Sequence, residues 1–170
     1  MLWRRCLTVT LILIWATSGA SGAPKTKTRP ATLKRVSVTF ETLKGQRAPD
    51  SQMRVDVSYS EFTFASNYEQ PPIAPGIAFT VGSPVVVDVP LDYGIAHGST
   101  PCTKDFVLRT LRDKDDPITL YVELTKPQAW VYNAKVIFEY SDGTSYKGEA
   151  RGCELTPEVG FKQCYVREEN

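Results

Sequence analysis

The sequence predicts an all-β protein, an antiparallel β-sandwich of about seven to eight strands. Several short segments alternate apolar and polar residues with the period of two that a half-buried strand requires. Apolar residues nowhere keep a spacing of three and four over eight positions, and the 12 prolines would interrupt most helices. With 170 residues, 42% of them hydrophobic and 23% charged, the composition fits one compact domain.

The first 22 residues have the order of a secretory signal peptide. Arg4 and Arg5 precede an apolar run over residues 7–16, and small residues follow as far as Ala23. The run is shorter than the roughly 20 apolar residues that span a bilayer as a helix. We therefore expect a signal peptide over residues 1–22 and a secreted, extracellular protein.

A basic flexible arm is predicted over residues 23–35, ahead of a single β-sandwich domain over residues 36–170. The arm carries five lysines and arginines interrupted by two prolines. A solvated leader explains so few charges better than a heparin or acidic-lipid contact does. Over the whole chain 20 basic residues balance 19 acidic ones, so the charge gives no support to nucleic-acid binding.

The strands are predicted in order from their alternation. The first begins at Val36 and places Val36, Val38 and Phe40 on one face, and the second runs over residues 55–64 with a bulge near Ser60. β-Branched and aromatic residues repeat the strand pattern at 85–89, 106–108, 118–124 and 135–140.

Turns and loops are predicted from glycine and proline. The Asp-Gly pair at 142–143 indicates a tight hairpin, because glycine adopts positive φ at no steric cost. Residues 69–76 are rich in proline and predict an extended loop, and residues 93–101 predict a second long loop.

Few residues are suited to catalysis or metal binding. His97 is the only histidine, and Ser99 and Cys102 lie too close to it in sequence to converge as nucleophile and base. One histidine and scattered cysteines do not make a zinc site. The acidic run at 113–116 lacks the glycine and terminal glutamate of a calcium loop, so a polar turn explains it better. We expect no enzyme activity, no cofactor and no metal.

The last third of the chain carries the most recognisable arrangement. Residues 130–140 are followed by the Asp-Gly turn and then by Cys153 and Cys164. This arrangement resembles the end of PLAT (lipoxygenase-homology) domains, in which a tryptophan loop precedes a Lys-Val-x-Val strand and a cysteine pair closes a hairpin. Phe138 stands where the second valine would be, and residues 36–40 are similar to the opening strand of that family.

The resemblance implies a sandwich that docks onto lipid surfaces or protein partners without chemistry of its own. It assigns Trp130 to the loop aromatic and Lys135 and Val136 to the strand behind it. It also implies a closing disulfide between Cys153 and Cys164.

Three cysteines follow the predicted signal peptide, so one lacks a partner within the chain. We prefer the pair Cys153–Cys164, whose closure stabilises the fold by about 3 kcal/mol. Pairing of Cys102 with either of the others stays open. An unpaired Cys102 is either buried as a small apolar group or exposed and able to link two chains into a dimer.

Trp130, Tyr132 and Tyr93 are the candidate binding residues. The indole of Trp130 either fills one end of the core, which we favour, or anchors a membrane interface or a protein contact. Tyr132, Tyr93 and Tyr68 would widen an exposed patch if they shared its side.

The sequence favours a secreted, non-catalytic binding domain that recognises a lipid or membrane surface, or an extracellular protein, through loops at one end of the sandwich. One alternative is a soluble lipid carrier, similar to ML lipid-recognition sandwiches at residues 85–90 and at Cys102, with a large internal cavity. Another is a secreted ligand that modulates a cell-surface receptor.

Overall fold

The computed structural model describes residues 30–68, 70–99 and 102–169. The signal peptide predicted over 1–22 and residues 23–29 of the predicted arm lie outside the described residues. The strands are β1 (Leu33–Gly45), β2 (Met53–Tyr59), β3 (Phe62–Ser66), β4 (Val85–Val89), β5 (Ile118–Leu124), β6 (Trp130–Tyr140), β7 (Ser145–Leu155) and β8 (Phe161–Glu168), and the helices are α1 (Tyr93–Ala96) and α2 (Lys104–Arg112).

The eight strands form one antiparallel sheet in the order β3-β2-β5-β8-β7-β6-β1-β4, which confirms the predicted all-β antiparallel fold. The sheet curls into a nearly closed barrel, broadly consistent with the predicted sandwich. Beyond β4, Leu91 bridges to Ala65 on β3, and the backbone N–H of Ser66 donates to the carbonyl of Pro90 at 2.8 Å. The continuation of β4 therefore joins the two ends of the sheet.

Strand β8 belongs to both halves of the barrel. It pairs with β5 over residues 161–166 but with β7 only opposite Gly148 and Glu149. Where β7 and β8 have separated, Cys153 and Cys164 join them, with their Cα atoms 6.1 Å apart. The two cysteines thus lie at disulfide distance, as predicted, and link strands that backbone hydrogen bonds no longer hold.

Alternation fills the interior with every second side chain of each strand. Along β5 and β6 the alternation of buried and half-buried residues is unbroken. At one end of the barrel Phe40, Phe79, Trp130 and Tyr132 pack together, with ring centroids between 4.2 and 5.6 Å apart. The interior at this end is occupied by aromatic rings.

Arg47 holds the proline-rich segment against the same end of the barrel. Its guanidinium donates to the carbonyl oxygens of Ala74 at 3.0 Å, Ile77 at 2.7 Å and Ser51, and it lies 4.9 Å from the ring of Phe79. Arg47 is fully buried, and this burial lowers its pKa. The loop predicted from prolines is therefore anchored to the core.

Helix α2 closes the opposite end, and the strand predicted at 106–108 is wrong. The hydroxyl of Thr103 accepts from the backbone N–H of Phe106 at 3.3 Å and caps the helix, whose Val107 and Leu111 are buried one turn apart. The ring of Phe106 packs against Tyr59, Phe62 and Phe64 of the β2–β3 hairpin. Within the described ranges, no helix is long and apolar enough to cross a membrane.

Three smaller features bear on the other local predictions. The bulge predicted near Ser60 is instead the tight turn between β2 and β3, with φ of 51° at this residue. The Asp-Gly hairpin is confirmed, since Gly143 has φ of 81° and donates to the carbonyl of Tyr140 at 3.0 Å. Strand β1 begins at the buried Leu33, inside the predicted arm, and α1 occupies part of the predicted loop 93–101.

Candidate functional site

Two of the three aromatic residues predicted to bind a partner lie inside the barrel. Trp130 and Tyr132 are 0% exposed, and their rings stack at 4.2 Å. The indole N–H of Trp130 donates to the Thr42 hydroxyl at 3.0 Å, and burial raises the pKa of Tyr132. Neither side chain is open to a ligand, which corrects their assignment as binding residues. Trp130 takes the core position that the sequence favours.

Tyr93 is exposed but stands apart from that pair. It is 76% exposed on α1, and its ring lies 4.2 Å from the ring of His97. The structure therefore does not bring Tyr93 together with Trp130 or Tyr132 in one surface patch.

Among the described residues, Cys102 is the cysteine outside the disulfide, and it is buried at 2% exposure. Burial raises the pKa of its thiol to about 12. A thiol in this position is protonated at neutral pH and shielded from a second chain. Its burial therefore speaks against the disulfide-linked dimer considered above.

Exposed aromatic side chains gather instead on the outer face of β2, β5 and β8. Because β5 pairs in register with both neighbours, three outward residues of each strand line up in three rows across the sheet. We call this surface the β2-β5-β8 face, and its rows are Arg54–Glu123–Phe161, Asp56–Tyr121–Gln163 and Ser58–Thr119–Tyr165.

The aromatic rings of the β2-β5-β8 face comprise one stacked pair and two further exposed rings. Phe161 is 52% exposed and stacks on Tyr121 at 5.7 Å with an interplanar angle of 24°. Tyr165, further along β8, is 61% exposed. Beside the first row, Tyr68 is 59% exposed, and its ring lies 4.9 Å from the guanidinium of Arg54.

Polar groups stand between these rings. The hydroxyls of Ser58 and Thr119 lie 3.1 Å apart. Burial is the main cause that raises the pKa of Asp56, and the carboxylate of Asp92 adds to it, while the hydroxyls of Ser58 and Ser66 act in the opposite direction. Among the described residues no lysine or arginine lies within 4.0 Å of the Asp56 carboxylate. The face therefore holds a half-buried acid without a cation beside it.

A depression of about 390 Å³ opens at the Tyr165 end of the face. Thr119, Gln163 and Tyr165 line it from the face, and residues 114–116 of the acidic turn 113–116 also line it. This segment is the predicted polar turn, in which the Asp113 carboxylate accepts two backbone N–H groups at 3.0 and 3.1 Å. The described residues contain no group of three or more side chains placed to hold a metal ion.

A second depression, of about 380 Å³, lies on the outer surface of β1, β6 and β7. Most of its charges are already paired, since Lys135 contacts Glu149 at 3.7 Å and Arg151 contacts the same carboxylate. The remaining carboxylate, Glu41, accepts from the side-chain amide of Asn133 at 3.3 Å. No aromatic side chain lines it. The β2-β5-β8 face is the better candidate for a binding site.

Tyr121, Phe161 and Tyr165 are not among the predicted binding residues, although alternation indicates that Tyr121 faces outward. Tyr121 falls between the buried Leu120 and Val122, so its side chain must point outward. What alternation does not give is the register that brings Tyr121 next to β8.

No protein-family model, curated protein or solved structure matches this chain. The resemblance to PLAT domains stays a prediction.

Proposed function

We propose that the protein is a secreted, non-catalytic recognition module that binds an extracellular ligand on the β2-β5-β8 face. The observation that carries the proposal is the cluster of exposed Tyr68, Phe161 and Tyr165 with half-buried Tyr121 and Arg54. Tyrosine and arginine supply much of the energy of binding sites, and clustered exposed rings are costly to leave in water. The binding surface thus moves from the loops at the end of the sandwich to the face of one sheet.

Two observations support a non-catalytic, extracellular role. The Cys102 thiol, with a pKa raised to about 12 by burial, is a poor nucleophile at neutral pH. The cysteine pair Cys153–Cys164 suits the oxidising conditions outside the cell and agrees with the predicted signal peptide.

A lipid ligand has less support. Both ends of the barrel are occupied, one by α2 and the other by the segment that Arg47 holds, so an internal acyl chain would displace packed side chains. On the β2-β5-β8 face one basic residue stands against two acidic ones, and none of its nine residues is aliphatic. Membrane-binding surfaces combine basic residues with aliphatic and aromatic ones.

The test compares binding of the fluorescently labelled protein to intact cells and extracellular material of the producing organism. The face variant carries Tyr121→Ala and Tyr165→Ala together. The matched control is Tyr93→Ala, which removes an exposed ring from α1, outside the face. Thermal unfolding followed by Trp130 fluorescence verifies that each variant is folded.

We expect saturable binding that the face variant loses by at least tenfold and that Tyr93→Ala retains. Loss in Tyr93→Ala with retention in the face variant would return the site to the loops. Binding to phosphatidylserine-containing vesicles that the face variant retains would favour a membrane surface elsewhere on the molecule. Absence of saturable binding to all of these materials would also overturn the proposal.

A further inference from the structure

We propose that the ligand of the β2-β5-β8 face is a neutral carbohydrate chain whose sugar rings stack on Tyr121, Phe161 and Tyr165. The inference rests on the proposed function, since it concerns the same face. The residue types, the dimensions, the adjoining depression and the charge of this surface all support a neutral chain.

The residue types match the two kinds of surface that a sugar ring presents. A pyranose has an apolar face of C–H groups, which pack against the electron-rich face of an aromatic ring. Around its edge it carries hydroxyl groups, which both donate and accept hydrogen bonds. Among the nine positions of the face, Phe161 and the two tyrosines supply rings, and every other position carries a hydroxyl, carboxylate, amide or guanidinium group.

The dimensions favour a short oligosaccharide over a folded protein. Three strands about 4.8 Å apart, with outward residues about 6.7 Å apart along each, give a field of about 10 by 13 Å. When the width of the side chains around its edge is included, the area of the face is roughly 300 Å². Each side of a stable protein interface buries about 800 Å². Phe161 and Tyr165 lie at opposite ends of the field on β8, so one linear chain would reach both rings.

The depression beside Tyr165 extends the same surface. Its volume of about 390 Å³ falls at the lower end of the range for small-molecule sites, roughly 300–1,000 Å³. Thr119 and Gln163 line it from the face and offer a hydroxyl and an amide. A sugar at the end of a chain lying over Tyr165 would enter this depression.

The charges point to a neutral chain. Arg54 is the only basic residue of the face, and its guanidinium already lies 3.8 Å from the carboxylate of Glu123. Around the depression two basic side chains, Lys114 and Arg167, are balanced by two acidic ones. A sulfated or uronic-acid polysaccharide needs an excess of positive charge, which this surface does not provide.

Asp56 gives the face an acceptor that lacks a strong partner. Its carboxylate lies among the hydroxyls of Ser58 and Ser66, without a cation within 4.0 Å among the described residues. Sugar hydroxyls donate to carboxylates, and a bound chain would add donors to those that the hydroxyls of Ser58 and Ser66 supply.

The first experiment does not require the sugar to be known. Extracellular material and cells of the producing organism are treated either with periodate, which cleaves vicinal diols of sugars, or with a protease, and binding of the labelled protein is measured. We expect binding to fall at least tenfold after periodate and to survive the protease. The opposite pattern would identify a protein ligand and overturn the carbohydrate inference.

The second experiment measures affinity by calorimetry for neutral hexasaccharides of glucose, N-acetylglucosamine and mannose, with a heparin hexasaccharide as the charged comparison. We expect at least one neutral chain to bind, with at least tenfold weaker binding in Tyr121→Ala and in Tyr165→Ala. Tyr121→Phe keeps the ring and should restore affinity, and Tyr93→Ala should match the unmodified protein. Binding of heparin alone, or of no hexasaccharide, would contradict the inference.

The two proposals fail in different ways. Suppose that periodate does not reduce binding of the unmodified protein to native material, and that the face variant loses this binding. The face then remains the binding site, and the ligand is not a carbohydrate. If the face variant binds native material as the unmodified protein does, the face itself is wrong and both proposals fall.

Discussion

Asp56 carries a charge that its surroundings disfavour. Burial and the neighbouring Asp92 raise its pKa above the value of about 3.8 expected for an exposed aspartate. The folded state therefore binds the proton more tightly than the unfolded state does. Under this condition the free energy of unfolding falls as the pH rises from the unfolded pKa through the folded one. At neutral pH the ionised Asp56 lowers the stability of the fold.

We expect Asp56→Asn to raise the melting temperature at pH 7 and to leave it nearly unchanged at about pH 3, where both side chains are neutral. Thermal unfolding followed by Trp130 fluorescence across this pH range measures the difference. Asp115→Asn, at an exposed turn, is the control and should not show the same pH-dependent gain. The expectation would be contradicted if the substitution lowered the melting temperature at pH 7 and did not lower it at acid pH. A gain would mean that Asp56 is kept at the expense of stability, as residues with a binding role often are.

The aromatic residues show what can be predicted residue by residue. Trp130 and Tyr132 share the parity of the buried Val136, so alternation alone places them inside β6. Their prediction as binding residues followed from their chemistry, although a core position was already favoured for Trp130. Tyr121 has the opposite parity to the buried Leu120 and Val122, so its side chain points outward. Residue type indicates what a side chain can bind, whereas parity indicates whether it is accessible.

Helix α2 packs against the sheet at a position where only glycine leaves enough space. A Cβ atom on Gly148 of β7 would lie 2.6 Å from a methyl carbon of Leu111 and 2.6 Å from one of Val166. Both neighbours are buried and cannot move away freely. The close approach of α2 to β7 and β8 therefore depends on the absence of a side chain at this position.

Gly148→Ala should destabilise the protein by about 1–3 kcal/mol, the usual cost of overpacking a core. In a domain of this size the melting temperature falls by roughly 2–4 °C for each kcal/mol. Ser145→Ala, at an exposed position of the same strand, is the control and should have little effect. An unchanged melting temperature in Gly148→Ala would show that α2 does not pack as described.

Prediction was least successful for α2 among the elements. Its three consecutive apolar residues, 106–108, have the appearance of a short strand, and its buried face comprises little more than one turn. The local signals were the cap at Thr103 and the acidic Asp105 in the first turn, which favour a helix start. Short helices of this kind are decided by tertiary packing more than by their own periodicity.

The disulfide acts on the molecule as a whole because it joins the two halves of the barrel. Replacing Cys153 and Cys164 together with alanine should lower the free energy of unfolding by about 3 kcal/mol, the value for closing a loop of this length. Guanidinium unfolding followed by Trp130 fluorescence measures this loss. Cys102→Ala removes a buried cysteine without breaking a link and should cost less. Equal losses in the two variants would show that the link adds nothing beyond packing.

The closure of the barrel could not be read from the sequence. Alternation and the Asp-Gly turn identify individual strands and the β6–β7 hairpin, which are local features. The strand order places β5 between β2 and β8, and β1 between β6 and β4, so it depends on pairings between distant parts of the chain. The β2-β5-β8 face exists only because of two such pairings, in which Tyr121 comes to lie between Asp56 and Gln163 and near Phe161.

The outward residues of β2, β5 and β8 contribute little to the packed interior, because alternation assigns that task to their neighbours. Ligand specificity and folding are therefore determined by separate sets of positions on the same strands. Resurfacing these three strands should redirect the protein to a new target while the scaffold stays intact. A site at either plugged end of the barrel would offer no such freedom, since each change of specificity there would disturb the core.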